Sequence, residues 1–385
     1  MKERNKLKKA IKIVLWISLA YVCFVGIDTA FDVFGYTPFH GTTFLTYLHF
    51  RRTCSENSTS QTNASISTTR KTNVAFLKVH KAGSSCVQNL LFRFGLRHNL
   101  NILLPKSENY LYSENQKLPL KPCEHYNIFA CHTVYRKQLF DDLLPDDSVT
   151  IGIVREPVSR VISAAYYYRD VMNSEYLNQI PRANFIHNLV NLPETYERNF
   201  FSHTRNTMGQ DFGFPNDIKQ SNAAEIRKYL DELNSQFLLV LIMEKFNESL
   251  VLMKRLLNWS FLDIIYMKSN SHEHYRTNLN ETERAKFRTT SFLDFEIYEY
   301  FFSVFDIKLK QIEDDFYDEV SYFKTVIDKV SEFCLRKEDT KNVTLLIQQS
   351  KWDSAFKVSE TDCQWMQTEE VEFINKLREQ RLQSV

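Results

Sequence analysis

Lys81, His132 and Arg155 are the side chains whose types and settings best suit chemistry in this sequence. Lys81 lies in Asn73 to Ser85, N-V-A-F-L-K-V-H-K-A-G-S-S, where an apolar run stops at a tight turn. The run from Asn73 to Val79 predicts a strand buried on both faces. Val87, Leu90, Leu91 and Phe94 then fall at helical spacing, which predicts a helix after the turn. A strand, tight loop and helix in succession point backbone N–H groups and a helix N-terminus at one spot, which suits a phosphate-like anion. The expected cradle is Lys81, Ala82, Gly83, Ser84 and Ser85. Gly83 permits close backbone approach, the two serines offer hydroxyls, and Lys81 adds a mobile positive charge. Glycine is scarce, with eight in 385 residues, so one beside Lys81 carries weight. The plain alternative is an ordinary strand-to-helix turn with a surface lysine.

Arg155 ends a second apolar run in V-R-E-P-V-S-R. A guanidinium there suits a bidentate grip on phosphate. Ser159 and Ser163, four apart on one helix face, add hydroxyls. A surface pair of Arg155 with Glu156 is the competing reading. His132 follows a third run in F-A-C-H-T-V-Y, and an imidazole can accept a proton near neutral pH. His80 is a second candidate, although it lies inside the anion loop, and Glu244 stands behind it. A nucleotide kinase loop of the form Gly-x-x-x-x-Gly-Lys-Ser/Thr is not matched. Here the lysine precedes the glycine, and no hydroxyl follows it directly to hold Mg²⁺. A ligand bound without metal is therefore expected, and no Cys/His spacing suggests zinc.

These residues need elements to position them. Asn127 to Ala130, Val149 to Val154 and Phe237 to Ile242 read as further buried strands. Pro157 opens a helix with Val158, Val161, Ile162 and Ala165 as its buried stripe. Leu250, Met253, Leu256 and Leu257 mark the core face of another. Alternating strands and helices predict an α/β fold with a P-loop-like central parallel sheet flanked by helices, its ligands at the carboxyl ends of the strands. Lys81, His132 and Arg155 each fall just past a predicted strand, so three separate segments converge on one edge.

Ahead of this body the chain reads as a membrane address. The first twelve residues carry six cations against Glu3, a balance of +5 that leaves −4 for the rest of a chain of net charge +1. That balance does not suggest a nucleic-acid binder. The uncharged run Ile13 to Ile27 follows, with flanking residues extending it to a short span. The expected layout is a cytoplasmic tail over 1–12, a transmembrane signal-anchor over 13–30, a Ser/Thr/Asn-rich stem over 31–72 and a single luminal domain over 73–385. The sequons at Asn57, Asn63, Asn247, Asn258, Asn280 and Asn342 agree with a lumen. Outside the anchor, Cys54, Cys86, Cys123, Cys131, Cys334 and Cys363 permit fifteen pairings, among which sequence does not choose.

F-L-K-V-H-K-A-G-S-S together with I-V-R-E-P-V-S-R-V-I-S resembles the Golgi sulfotransferases that use 3′-phosphoadenosine-5′-phosphosulfate (PAPS). The stretch F-L-L-V-L-I-M-E-K-F-N-E-S-L-V-L-M-K-R-L-L-N-W, Phe237 to Trp259, resembles the galactose 3-O-sulfotransferase family, which includes galactosylceramide sulfotransferase. The likeness covers roughly residues 73 to 305. It implies a type II Golgi membrane enzyme that moves a sulfuryl group to a galactose hydroxyl, O3 by expectation, on a glycolipid or glycan. The first motif then holds the 5′-phosphosulfate, Arg155 and Ser163 the 3′-phosphate, and His132 takes the acceptor proton. That last role is carried over from a more distant similarity to heparan and uronyl 2-O-sulfotransferases. The resemblance also implies a loop near Tyr266 to Asn278 over the nucleotide, with Tyr266, Ser271 and Thr277 as contacts. Two departures stand out: Cys86 where the family usually has Thr, and Glu156 where it usually has Asp. The other classes kept open are a 2-O-sulfotransferase-like enzyme, a P-loop kinase and a non-catalytic luminal glycan-binding protein.

Overall fold

The computed structural model describes residues 69–197, 202–267, 277–312, 314–336 and 343–383. The tail, the anchor, most of the stem, Ser271, Cys54 and the sequons at Asn57, Asn63 and Asn342 lie outside them. Among the described residues no helix is long and apolar enough to cross a membrane.

Four parallel strands make the central sheet: β1 (Val74–Phe76), β2 (Ile128–Phe129), β3 (Val149–Val154) and β4 (Phe237–Ile242), in the order β2-β1-β3-β4. Their residues are almost all buried, as expected for strands covered on both faces. β3 and β4 coincide with their predicted runs. The first run was expected to stay in the sheet to Val79, yet β1 stops at Phe76. Leu77 makes one last ladder bond, its N–H donating to the Ile151 carbonyl at 2.8 Å. Leu77, Lys78 and Val79 stay buried while the backbone turns out of the sheet.

The order places β2 on one side of β1 and β3 on the other. The chain leaves β1 toward one flank and β3 toward the opposite flank, which opens a crevice between their carboxyl ends. Into it point two helix starts, α1 (Ser84–Arg97) and α2 (Pro157–Asp170). Val87, Leu90, Leu91 and Phe94 of α1 are fully buried, as their spacing predicts. On α2, Val158, Val161 and Ala165 are buried and Ile162 only partly. That stripe packs with Phe185, Leu189 and Phe287 in a second apolar cluster, apart from the main core. α3 (Ala223–Gln236) precedes β4, and α4 (Phe246–Leu257) follows it. Leu250, Met253 and Leu257 of α4 are buried, but Leu256 is 38% exposed. Val251 and Leu252 fill the core face in its place, because α4 is covered by both the sheet and α6 (Phe316–Cys334), which widens the buried arc. α5 (Phe292–Lys310) packs across β4.

The C-terminal arm is a hairpin, β5 (Thr344–Ile347) with β6 (Phe356–Ser359), then α7 (Glu360–Gln367) and α8 (Glu370–Gln383). A Cys334–Cys363 disulfide ties α7 to α6. Cys123 is also disulfide-bonded, whereas Cys86 and Cys131 are free. On α8, Phe373, Ile374 and Leu377 are buried, and Phe373 meets Phe92 of α1 edge-on at 5.4 Å. At the other end of the body, Lys71 exchanges hydrogen bonds with the Leu257 carbonyl and the Trp259 indole N–H.

Candidate active site

The β1–α1 loop turns through two left-handed residues, Lys81 at φ 60 and Gly83 at φ 78. Gly83 is required twice over. Its φ disfavours any L side chain, and a Cβ would stand 2.4 Å from Met243 Sδ. Two lysines serve this loop. Lys81 is partly exposed, with Nζ 3.6 Å above the centre of the Tyr167 ring. Burial, then the neighbouring Lys78 and Arg155 cations, lower its pKa to about 8. Lys78 is the buried one at 1% exposure, its Nζ 3.2 Å from Ser85 Oγ and 3.5 Å from Ser84 Oγ. Lys78 is not among the site residues expected from the sequence. The signal was present, since a lysine inside a buried apolar run needs a partner.

That partner is Glu370, the first residue of α8. Its Oε2 lies 3.0 Å from Lys78 Nζ and accepts from Ser85 Oγ. Oε1 accepts from Asn109 Nδ2. Gln88 orients that amide by donating to Asn109 Oδ1 at 3.0 Å and to the Ala130 carbonyl at 2.7 Å. Burial, the largest single effect, pushes the Glu370 carboxyl up, but Lys78 together with the Ser85 and Asn109 hydrogen bonds outweighs it and holds the group below its ordinary range. Nothing near Glu370 in sequence marks it, because Ser85 is 285 residues away.

Ser84 is committed inside the loop, its hydroxyl donating to the Val79 carbonyl at 2.6 Å. Arg155 Nη1 donates to the Lys81 carbonyl at 3.1 Å, bridging the crevice between β1 and β3. The surface pair of Arg155 with Glu156 does not form among the described residues. Glu156 instead caps α2, accepting from the N–H groups of Val158 and Ser159. Ser163 sits farther along α2, half-buried.

His132 is buried against the loop. A carbonyl can only accept, so Nδ1–H donates to the Lys78 carbonyl at 3.1 Å and Nε2 carries the lone pair. Burial first, then the Lys78 cation and His80, push its pKa well below 6.5. His80 stacks on it with ring centres 4.2 Å apart but is differently held. Asp211 takes both the His80 N–H, at 2.8 Å, and Nδ1, at 2.7 Å, while Nε2 meets the Tyr110 hydroxyl at 3.1 Å. Both His80 ring nitrogens are engaged, whereas His132 Nε2 faces the site. Tyr110 and Asn109 reach this position through a short parallel bridge between Tyr110 and His132.

The structure thus brings together Lys81, Gly83, Ser84, Ser85, His132 and Arg155, and adds Lys78, Tyr167 and Glu370. Tyr266 hydrogen-bonds Asn247 at 3.0 Å, its phenol pushed up to about 12 by burial. Thr277 is half-buried. Chemically, the arrangement offers converging cations and helix N–H groups for an oxyanion, beside a neutral imidazole able to accept a proton.

The profile of the galactose-3-O-sulfotransferase family matches residues 3–359. Mouse galactose-3-O-sulfotransferase 2 is 28% identical over 294 residues, 71% of this chain and 72% of the relative. Mouse galactose-3-O-sulfotransferase 3 is 31% identical over 245 residues, 60% and 56% of the two chains. Human galactosylceramide sulfotransferase is 29% identical over 207 residues, 52% and 48%. The matched segments therefore span between 48% and 72% of these relatives' lengths.

Proposed function

We propose that this chain, which belongs to the galactose-3-O-sulfotransferase family, transfers a sulfuryl group from PAPS to a galactose hydroxyl, O3, of a glycolipid such as galactosylceramide or of a glycan. The observation that carries the proposal is the pairing of an anion loop with a base. The Lys78 to Ser85 loop runs directly under His132, whose Nδ1 is tied to the Lys78 carbonyl at 3.1 Å.

In this reading the 5′-phosphosulfate lies against the backbone of Gly83 to Ser85 and the N-terminus of α1, with Ser85 Oγ and Lys78 close by. Lys81 faces the bridging oxygen, where charge develops as the S–O bond breaks. Arg155 and Ser163 hold the 3′-phosphate. Tyr266, Ser271 and Thr277 border the nucleotide. The acceptor O–H bond breaks as its proton passes to His132 Nε2, the acceptor oxygen bonds to sulfur, and 3′,5′-bisphosphoadenosine leaves. No metal takes part. Tyr167 fixes the height of the Lys81 ammonium through its ring face.

The same proposal extends to placement: a Golgi enzyme of single-pass type II topology, with tail 1–12, anchor 13–30, stem 31–72 and a luminal body 73–385. The basic segment ahead of Ile13 to Ile27 supports it, as do the disulfide between Cys334 and Cys363 and the exposed sequon asparagines Asn258 and Asn280.

The test is to incubate the purified protein with labelled PAPS and a panel of β-galactosides, galactosylceramide and uronic-acid polymers, then locate the product sulfate. Sulfate on galactose O3 is expected. Sulfate on the uronic-acid polymers alone, or Mg²⁺-dependent ATP turnover without sulfate transfer, would overturn the reading.

A further inference from the structure

Glu370 lies beyond residue 359, where the family match ends, and has no part in the scheme above. We propose that it completes the acceptor subsite, so that His132 Nε2 and Glu370 Oε1 together bind a vicinal diol, the attacking hydroxyl on the imidazole and its neighbour on the carboxylate. This rests on the galactose sulfotransferase reading of the same site.

The argument begins with two acceptors that face each other. His132 Nε2 and Glu370 Oε1 are 4.0 Å apart, too far for a hydrogen bond. Neither has a proton for the other, because the imidazole proton is on Nδ1 and the carboxylate is ionised beside Lys78. The ligand that suits such a pair presents two donor protons at similar spacing, each oxygen reaching its partner at ~2.8 Å. Neighbouring hydroxyls on a pyranose do this, and O3 of galactose has one on each side.

The carboxylate is also held for such a task. Oε2 is taken up by Lys78 and Ser85, while among the described residues Oε1 has a single hydrogen-bond partner, Asn109. Phe373, Ile374 and Leu377 bury the face of α8 behind it, and Arg378 ties the helix to the Pro105 carbonyl at 2.8 Å. Glu370 takes no proton in the transfer. It accepts one hydrogen bond from a hydroxyl that does not react, which fixes the sugar so that the reacting oxygen faces sulfur. The consequence is selectivity for a free hydroxyl beside the sulfated one.

The experiment compares kcat/KM for a methyl β-galactoside with its 2-deoxy and 4-deoxy counterparts, in the wild type, Glu370→Ala and Glu370→Gln. In the wild type, one deoxy acceptor is expected to lose roughly 10–100-fold, the scale of a hydrogen bond to a charged group. In Glu370→Ala the parent acceptor falls, and the parent-to-deoxy ratio shrinks toward one. Glu370→Gln keeps an acceptor oxygen without the charge, so its ratio is expected to drop about fivefold. A structural role for Glu370 would lower all three acceptors alike. An unchanged ratio in both variants overturns the inference, as does a wild type indifferent to both deoxygenations. Should Glu370→Ala fail to fold, the ratio in Glu370→Gln decides. A wild type that sulfates none of the galactosides overturns the functional reading itself, and this inference with it.

Discussion

α1 and α2 both start at the carboxyl edge of the sheet, and they present their first turns differently. α1 begins at Gly83, which offers no side chain to its own N-terminus, and its first turn holds no acid. α2 begins at Glu156, whose carboxylate accepts from Val158 N–H at 3.1 Å and Ser159 N–H at 2.7 Å. A helix start neutralised by its own carboxylate has little attraction left for an anion, whereas an open one retains it. Both segments read as anion motifs in sequence, but the physics of binding differs. In the proposed scheme the β1–α1 loop holds an anion through backbone and dipole, close to the reacting atoms. The β3–α2 junction in that scheme relies on the Arg155 guanidinium and on hydroxyls such as Ser163, and its role there is to grip a phosphate rather than to stabilise a developing charge.

The largest effect is expected between the two starts, at His132. His132→Ala should lower kcat by roughly 10²–10⁴-fold, the usual scale of general base help. Binding of 3′,5′-bisphosphoadenosine, measured by calorimetry, should stay near wild type, because no phosphate contact is removed. Turnover within a few-fold of wild type in a folded His132→Ala protein would transfer the role to His80, whose Asp211 partner makes it the next base to test.

Lys81→Ala probes the α1 side. Turnover should fall about 10²–10³-fold with a smaller change in donor binding, since the main contact forms as the sulfate leaves. The pH profile sharpens this. A lysine with pKa lowered to about 8 loses its charge as pH rises, so kcat/KM for the donor should fall on the alkaline side near pH 8. The acid limb should lie below 6.5, because the depressed His132 stays neutral to lower pH. Lys81→Arg should move the alkaline fall upward. An alkaline limb that stays near pH 8 in that variant would assign it to another group.

Arg155→Ala probes the α2 side, with the opposite signature: affinity rather than rate. Arg155 is only partly buried, so the cost should sit at the low end for a truncated charged partner, about 2 kcal/mol or ~30-fold in product affinity. If kcat falls as much as affinity does, the division of labour between the two starts is wrong.

How far sequence could see follows the same division. β3 and β4 were legible to the residue because their apolar runs end where their ladders end. β1 was overrun by three positions because Leu77 to Val79 remain buried after leaving the sheet, and hydrophobicity reports burial, not hydrogen bonding. The placement of Arg155 and His132 at the sheet edge was legible because each closely follows a recognisable run. Glu370, Asp211 and Asn109 were not, since tertiary packing delivers them, Asp211 reaching His80 across 131 positions. The competing pairing of Arg155 with Glu156 fails for a local reason: the proline that follows starts a helix whose bare N–H groups claim the carboxylate first.

The smallest effect tests the comparison most directly. Glu156→Ala removes the α2 cap and should cost about 1 kcal/mol of stability, read as a lowered denaturant midpoint with an unchanged slope. It also leaves the α2 start as open as that of α1. If the closed start is what confines the 3′-phosphate to Arg155, opening it should tighten product binding slightly or leave it unchanged, while kcat stays the same. The Arg155→Ala defect should also shrink in the Glu156→Ala background, because freed N–H groups can take over part of the anion's solvation. Weaker product binding in Glu156→Ala at intact fold would mean that Glu156 supports Arg155 itself, through the charge that it and Glu244 place nearby. The two helix starts would then differ in how each supports its cation and not in which end is open.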